Sequence, residues 1–160
     1  MATSVSRTSQ AGGAARFAGT PAGCAAALKT LEIFERDNIL DHAAMLGELA
    51  REKMADWEAR YDIVGQVRTH GLLMGVSFRD PEAKVENYYF ARSVRDAMLR
   101  RGVWAICDNE PQVRMYPALN MSADVLTQAL DLMEESIDQV QREGVSIGDY
   151  PPMPSGNVGF

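Results

Sequence analysis

The sequence is poor in the residues that most often build a self-contained catalytic or metal centre. Among 160 residues there are two cysteines, two histidines and three lysines. Cys24 and Cys107 lie far apart and show no Cys-x-x-Cys spacing, which argues against a disulfide framework and against a zinc site of that kind. We therefore expect two buried, reduced thiols and a reducing compartment such as the cytoplasm.

Long apolar runs and positive charge are also lacking. No run approaches ~18 apolar residues, so we expect no transmembrane helix and no membrane partner. The net charge of −6 argues against a nucleic-acid partner, which would require a basic face. A hydrophobic content of 46% is enough for a core, and the length suits one folded domain.

The two ends of the chain differ in composition from the middle. Residues 1–16 are rich in Ser, Thr, Gly and Ala and predict a disordered or non-native tail. Their Arg-bearing, acid-free composition also fits a transit peptide, but their shortness favours a tail or the edge of a truncated reading frame. Residues 144–160 are rich in Gly and Pro and predict a surface tail. The folded domain is thus expected over residues 17–143.

The middle of the chain alternates helical and strand-like patterns. Apolar residues at helical spacing predict helices over 22–37, 40–61, 86–101 and 123–142, and the stripes of the first two predict core packing. The central stretch VGQVRTHGLLMGVSF predicts two strands that meet at His70-Gly71, and further strands are predicted over 103–107 and 112–116. Short connections indicate an α+β fold: a small, mostly antiparallel sheet of three to four strands, covered by helices and preceded by a long helix.

Few residues offer recognisable chemistry. No zinc-protease, nucleophile-elbow, Walker or dinucleotide-binding motif occurs, and we expect no metal site. His70 is interpreted as a structural turn residue rather than a ligand or a base. Arg114, between apolar residues of a short strand, could offer a rigid fork to a carboxylate or phosphate. The local pattern alone favours the alternative, an edge-strand arginine that faces water or pairs with a surface acid.

Three segments in a fixed order carry a resemblance to a known family: GTPAGCAAAL at 19–28, VRTHGLLMGV at 67–76 and VRMYPAL at 113–119. Together they resemble the C-terminal part of class III pyridoxal-phosphate aminotransferases, over roughly residues 17–141. The resemblance implies the small C-terminal domain of a fold-type-I enzyme, with 17–143 as that domain. It further implies pyridoxal 5'-phosphate as cofactor, amine or amino acid and keto acid as substrates, a homodimer for the complete enzyme, and Arg114 as a substrate-carboxylate ligand.

Departures from the family pattern shape the expected activity. In the family, the Schiff-base lysine and most phosphate-binding residues lie upstream of the first of these segments. Arg16 stands where the family has a phosphate-binding threonine, His70 replaces a glycine and Ala118 replaces a proline. Lys29, the first of the three lysines, lies in a predicted helix, and none of the three follows an apolar strand into a pocket. We therefore expect that this chain alone neither binds pyridoxal 5'-phosphate nor transaminates.

Two alternatives stand beside the aminotransferase hypothesis. One is a stand-alone binding or scaffolding module that has the domain's fold and no catalysis. The other is an unrelated α+β enzyme that uses Arg114 and His70.

Overall fold

The computed structural model describes residues 19–145, in two units that meet in sequence between Asn38 and Ile39. The predicted tail at 1–16 and nearly all of the predicted tail at 144–160 lie outside the described residues.

The described part of the first unit is one helix, α1 (Pro21–Arg36). It begins where predicted, because the Thr20 hydroxyl accepts a hydrogen bond from the Gly23 N–H at 3.2 Å and Pro21 occupies the first turn. No residue of α1 is buried, and Leu28 and Leu31 are 69% and 61% exposed. The expectation that this stripe forms core was therefore wrong. An apolar stripe on a helix predicts that this face packs against a partner, but it does not identify the partner.

The second unit contains four helices and three strands among its described residues. They are α2 (Ile39–Lys53), α3 (Trp57–Arg60), β1 (Val64–His70), β2 (Leu73–Phe78), α4 (Tyr88–Arg100), β3 (Gln112–Met115) and α5 (Ala123–Glu143). The α+β prediction is confirmed. Asn87 and Ser122 begin α4 and α5 by accepting hydrogen bonds from the N–H groups of Tyr89 and Val125.

The three strands form one antiparallel sheet in the order β1-β2-β3. His70 pairs with Leu73 across a tight turn, and Gly71 in that turn has φ +55°, a conformation that a side chain would strain. The predicted strand pair meeting at His70-Gly71 is thus observed, and β2 is the central strand.

The helices cover one face of this sheet. α2 and α3 contact β1, α4 contacts β2 and β3, and α5 contacts α2 and α4. Their shared core contains large, fully buried side chains from both layers: Trp57, Phe78, Leu46, Met54, Ile63, Met98, Leu126, Leu130, Met133, Ile137, Val64 and Val76. The other face of the sheet is left for polar side chains.

Two predicted elements are shorter than expected. The helix predicted over 40–61 breaks after Lys53, where Ala55 and Trp57 bond to carbonyls three rather than four residues back. This tighter turn places both Met54 and Trp57 in the core. The strand predicted over 103–107 is reduced to one bridge, between Ile106 and Arg114, because no other residue of that segment pairs with β3.

Candidate functional site

The uncovered face of the sheet carries the candidate site. Side chains alternate along each strand, so that Met74, Val76, Val113 and Met115 point into the core. The positions between them, matched across the strands by the register, form the opposite face: Gln66, Arg68, His70, Leu73, Gly75, Ser77, Gln112 and Arg114. This face is mostly polar and contains two arginines.

Those two arginines flank a glycine. Gly75 on the central strand pairs with Arg68 on one side and with Arg114 on the other. A Cβ built on Gly75 would lie 4.0 Å from Cγ of Arg114, in ordinary van der Waals contact, so the arginine stem runs directly beside the glycine. Arg68 is exposed and donates a hydrogen bond to Oε1 of Gln66 at 2.6 Å.

The backbone of Arg114 is fixed from both sides. Its N–H and carbonyl bond to the carbonyl and N–H of Ile106 at 2.8 and 2.9 Å. Its neighbours Val113 and Met115 pair with β2. Motion at this site is therefore confined to the side chain, as a rigid fork for an anion requires.

The guanidinium of Arg114 is held by acids of the loop that precedes β3. Nη2 lies 2.5 Å from Oδ2 of Asp108, and Nη1 lies 3.9 Å from Oε2 of Glu110. The Glu110 carboxylate also accepts a short hydrogen bond from the Gln112 amide. The Arg114 side chain is 27% exposed, against 69% for Asp108 and 33% for Glu110.

The Nε–H donor of Arg114 is buried without a hydrogen-bond partner among residues 19–145. Buried donors are normally paired, so this nitrogen can still donate to an oxygen of a ligand if the side chain reorients. The structure shows the arrangement that the local pattern favoured, in which Arg114 pairs with a surface acid, although the Arg114 side chain itself is only 27% exposed. Its role as a carboxylate ligand stays a prediction.

The cysteines differ from the prediction. Cys24 lies on α1 and is exposed, and no residue of that helix is buried. Cys107 is half-buried next to the acidic loop, and its burial raises the pKa of the thiol above the ordinary value of 9.0. Nearby Arg92 and Arg95 lower this pKa, but burial outweighs them.

Neither histidine is among the ion-pair partners described for Arg114. His70, at the end of β1, is exposed beside the β1-β2 turn, where we interpret it as a structural residue. Nε2 of His42 lies 2.8 Å from the carbonyl oxygen of Met121. Since a carbonyl can only accept, Nε2 carries the hydrogen, and the bond ties α2 to the segment before α5.

All three lysines lie in described residues and form ion pairs with acids. Lys29 pairs with Glu32 at 2.7 Å, Lys84 pairs with Asp62 at 3.5 Å, and Lys53 pairs with Asp131 at shorter range. A Schiff-base lysine must present a free amine to the cofactor aldehyde, and each of these three amines is engaged by a carboxylate. Residues 19–145 therefore do not fit pyridoxal 5'-phosphate on their own.

The described residues contain neither a metal cluster nor a membrane-spanning helix. No group of three or more His, Cys, Asp and Glu side chains within 19–145 is placed to hold a metal ion. Within the same range no helix is long and apolar enough to cross a membrane.

An apolar cleft opens beside Arg114. Its volume is ≈ 400 Å³, and it lies between the 102–106 segment, β3 and the first half of α5. Trp104, Tyr116 and Val125 line it and are 72%, 52% and 49% exposed. These three residues define the Trp104 cleft.

Sequence reasoning singled out Arg114 but missed the acids that hold it. No role is predicted for residues 108–111 from the sequence. The pattern that could have indicated the pairing is Asp108 and Glu110, which lie six and four residues before Arg114. The Arg68–Gly75–Arg114 row was also missed, because it follows from the register of three strands.

Comparison with known proteins identifies the family. Residues 2–137 match the family described as aminotransferase class-III, and the chain belongs to that family. It is 30% identical over 125 residues to (R)-1-hydroxy-2-aminoethylphosphonate ammonia-lyase of Vibrio splendidus, covering 78% of this chain and 26% of that protein. It is 28% identical over 144 residues to isoleucine 2-epimerase of Lentilactobacillus buchneri, covering 89% and 31%.

A solved structure shares the fold. A solved structure named "Transaminase with L-ala" superposes with a TM-score of 0.72 at 22% identity, covering 78% of this chain and 30% of that one. The family match confirms the sequence-based resemblance to class III aminotransferases. The chain spans between a quarter and a third of the length of these three relatives.

Proposed function

We propose that this chain supplies the C-terminal small domain, expected over residues 17–143, of a pyridoxal-phosphate-dependent class III aminotransferase. In that enzyme an amino group passes from an amine or amino acid to a keto acid, and the complete protein is a homodimer. The family match supports this proposal, and the names of individual relatives do not fix the reaction, since they include a lyase and an epimerase.

The observation that carries the proposal is the arrangement of Arg114. Its strand backbone is fixed, its side chain is mostly withdrawn from water, and its guanidinium already binds a carboxylate at 2.5 Å. Amino acids and keto acids share a carboxylate, and an arginine fork suits that group. Arg114 is therefore proposed to bind and orient the substrate carboxylate.

The cofactor is proposed to be held by parts of the complete enzyme other than residues 19–145. When bound, it supplies the electron sink for amino-group transfer. The contribution of this chain is binding and orientation through Arg114, and the isolated chain is proposed to be inactive.

The test is a titration of the purified 160-residue chain with pyridoxal 5'-phosphate, followed by borohydride reduction and mass spectrometry. We expect no saturable absorbance change and no adduct confined to one lysine, because each lysine is ion-paired with a carboxylate. Transfer from L-alanine to a keto acid is expected to stay at background.

The matched controls are Lys29→Arg, Lys53→Arg and Lys84→Arg, each of which keeps the charge. A stoichiometric adduct that disappears in only one of these variants would identify a cofactor lysine and overturn the proposal of inactivity.

Exposed apolar side chains favour a second candidate, a stand-alone binding or scaffolding module. Leu28 and Leu31 on α1 and Trp104 in the second unit are all more than half exposed. The upstream DNA distinguishes the candidates. An open frame that encodes a lysine-bearing large domain supports the enzyme, and a promoter directly before Met1 supports the module.

A further inference from the structure

The loop between Ile106 and Arg114 delivers two acids to one guanidinium. Ile106 and Arg114 pair through two backbone hydrogen bonds, so the segment between them must turn back on itself. Within that turn, Asp108 reaches Nη2 of Arg114 and Glu110 approaches Nη1. The contact is local in sequence, because the loop leads directly into β3 and ends beside Arg114.

The two acids are held differently. The Glu110 carboxylate is tied by the Gln112 amide and is two-thirds buried. Asp108 is 69% exposed and bonds only to Arg114 among the hydrogen bonds and ion pairs of its side chain described for 19–145. An ion pair with such an exposed partner contributes little stability, so a carboxylate from outside can displace it.

A carboxylate ligand for Arg114 therefore meets competition. Asp108 occupies Nη2, one of the nitrogens that a bidentate ligand would use, and Glu110 adds a second negative charge 3.9 Å from Nη1 of the same guanidinium. The local charge of the three groups is −1, which repels an anion until Asp108 moves away.

We propose that Asp108 is an internal carboxylate competitor: it holds Arg114 while no ligand is bound and sets the affinity of Arg114 for carboxylate ligands, with Glu110 as a fixed repulsive neighbour. Asp108 is a positioning residue in this scheme, since it acts through Arg114. The inference rests on the proposed role of Arg114 as a carboxylate ligand.

The test is an NMR titration of the 160-residue chain with sodium propionate, at constant ionic strength made up with sodium chloride. The signals followed are the Nε–Hε resonance of Arg114, assigned by its loss in Arg114→Met, and the backbone amide resonances of residues 106–110 and 112–115, which report binding in every variant. Asp108→Asn keeps the size of the side chain and removes its charge, and we expect it to bind propionate about two- to fivefold more tightly than the parent chain.

The matched control is Asp138→Asn. It changes the net charge by the same amount but removes an acid that pairs with Arg142 on α5 at 2.7 Å. We expect this variant to bind propionate as the parent chain does. Without propionate, the Arg114 resonance is expected to shift in Asp108→Asn and to stay in place in Asp138→Asn.

The outcomes separate the two proposals. Equal affinity in the parent chain and Asp108→Asn, with loss in Arg114→Met, would overturn the role of Asp108 and leave Arg114 as the carboxylate ligand. Propionate binding that persists in Arg114→Met, or that is absent from every variant, would overturn both. Circular dichroism checks the fold of each variant, and Arg114→Lys serves as a second test if Arg114→Met unfolds.

Discussion

At the scale of single residues, burial decides how the two thiols behave. Cys24 is exposed on α1, whereas burial raises the pKa of Cys107. Because the thiolate is the reactive form, a raised pKa leaves little of it at neutral pH. We expect Cys107 in the Cys24→Ser variant to react with a disulfide reagent at pH 8 at least about tenfold more slowly than Cys24 in Cys107→Ser.

The pH dependence of this difference has a definite sign. The Cys107 rate should still be rising about tenfold per pH unit at pH 9, since its folded pKa lies above the ordinary value and the thiolate fraction has not yet levelled off there. A folded state that retains this proton is stabilised relative to the unfolded chain below that pH and loses the stabilisation as pH rises further. Equal rates for the two thiols at pH 8 would contradict the burial of Cys107.

Arg114 shows what a sequence reveals about one residue and what it leaves open. The alternation of apolar and charged residues around it placed it on a strand. Its partners lie six and four residues earlier, and they reach it only because Ile106 pairs with Arg114 and closes the loop. That pairing depends on tertiary register, which single-sequence periodicity does not contain.

At the scale of elements, one glycine sets the distance between α2 and the β1-β2 turn. A Cβ on Gly47 would lie 2.7 Å from Cα of Gly71 and 2.9 Å from its carbonyl carbon. Gly47→Ala should therefore destabilise the chain by about 1–3 kcal/mol, although alanine normally favours a helix. Urea unfolding measures this difference.

The control for this substitution is Glu52→Ala, at an exposed position of the same helix. It should change the free energy of unfolding by no more than about 0.5 kcal/mol. A Gly47→Ala variant as stable as Glu52→Ala would show that the helix can move away from the turn without cost.

Elements with strong local signals were predicted closely. α5 begins at Ala123 as expected because Ser122 caps it, and the hairpin turn is where its glycine indicated. The break after Lys53 was not predicted, since the apolar spacing continues through Met54 and Trp57. Both residues are buried, so the apolar spacing indicates their burial but not the tighter turn that separates α2 from α3.

At the scale of the whole molecule, the second unit presents an exposed apolar surface in the Trp104 cleft. Trp104 is 72% exposed while Trp57 is fully buried. Exposed apolar clefts bind amphiphilic dyes, so we expect the chain to enhance the fluorescence of anilinonaphthalene sulfonate. Trp104→Glu should reduce that enhancement at least about twofold by placing charge in the cleft.

Leu99→Glu is the matched control for the dye experiment. Leu99 is 50% exposed on α4 and does not line the Trp104 cleft. Its substitution should leave the fluorescence unchanged. An equal decrease in dye fluorescence in the two variants would mean that the dye binds exposed apolar surface in general and not the Trp104 cleft.

The bridge between Ile106 and Arg114 has a consequence beyond ligand binding. β3 is the last strand of its sheet, and the outward N–H and carbonyl of an edge strand are a template on which another polypeptide can add. Here both outward groups of Arg114 are already bonded to Ile106. The same loop that brings Asp108 to the arginine thus blocks strand addition at the middle of this edge of the sheet.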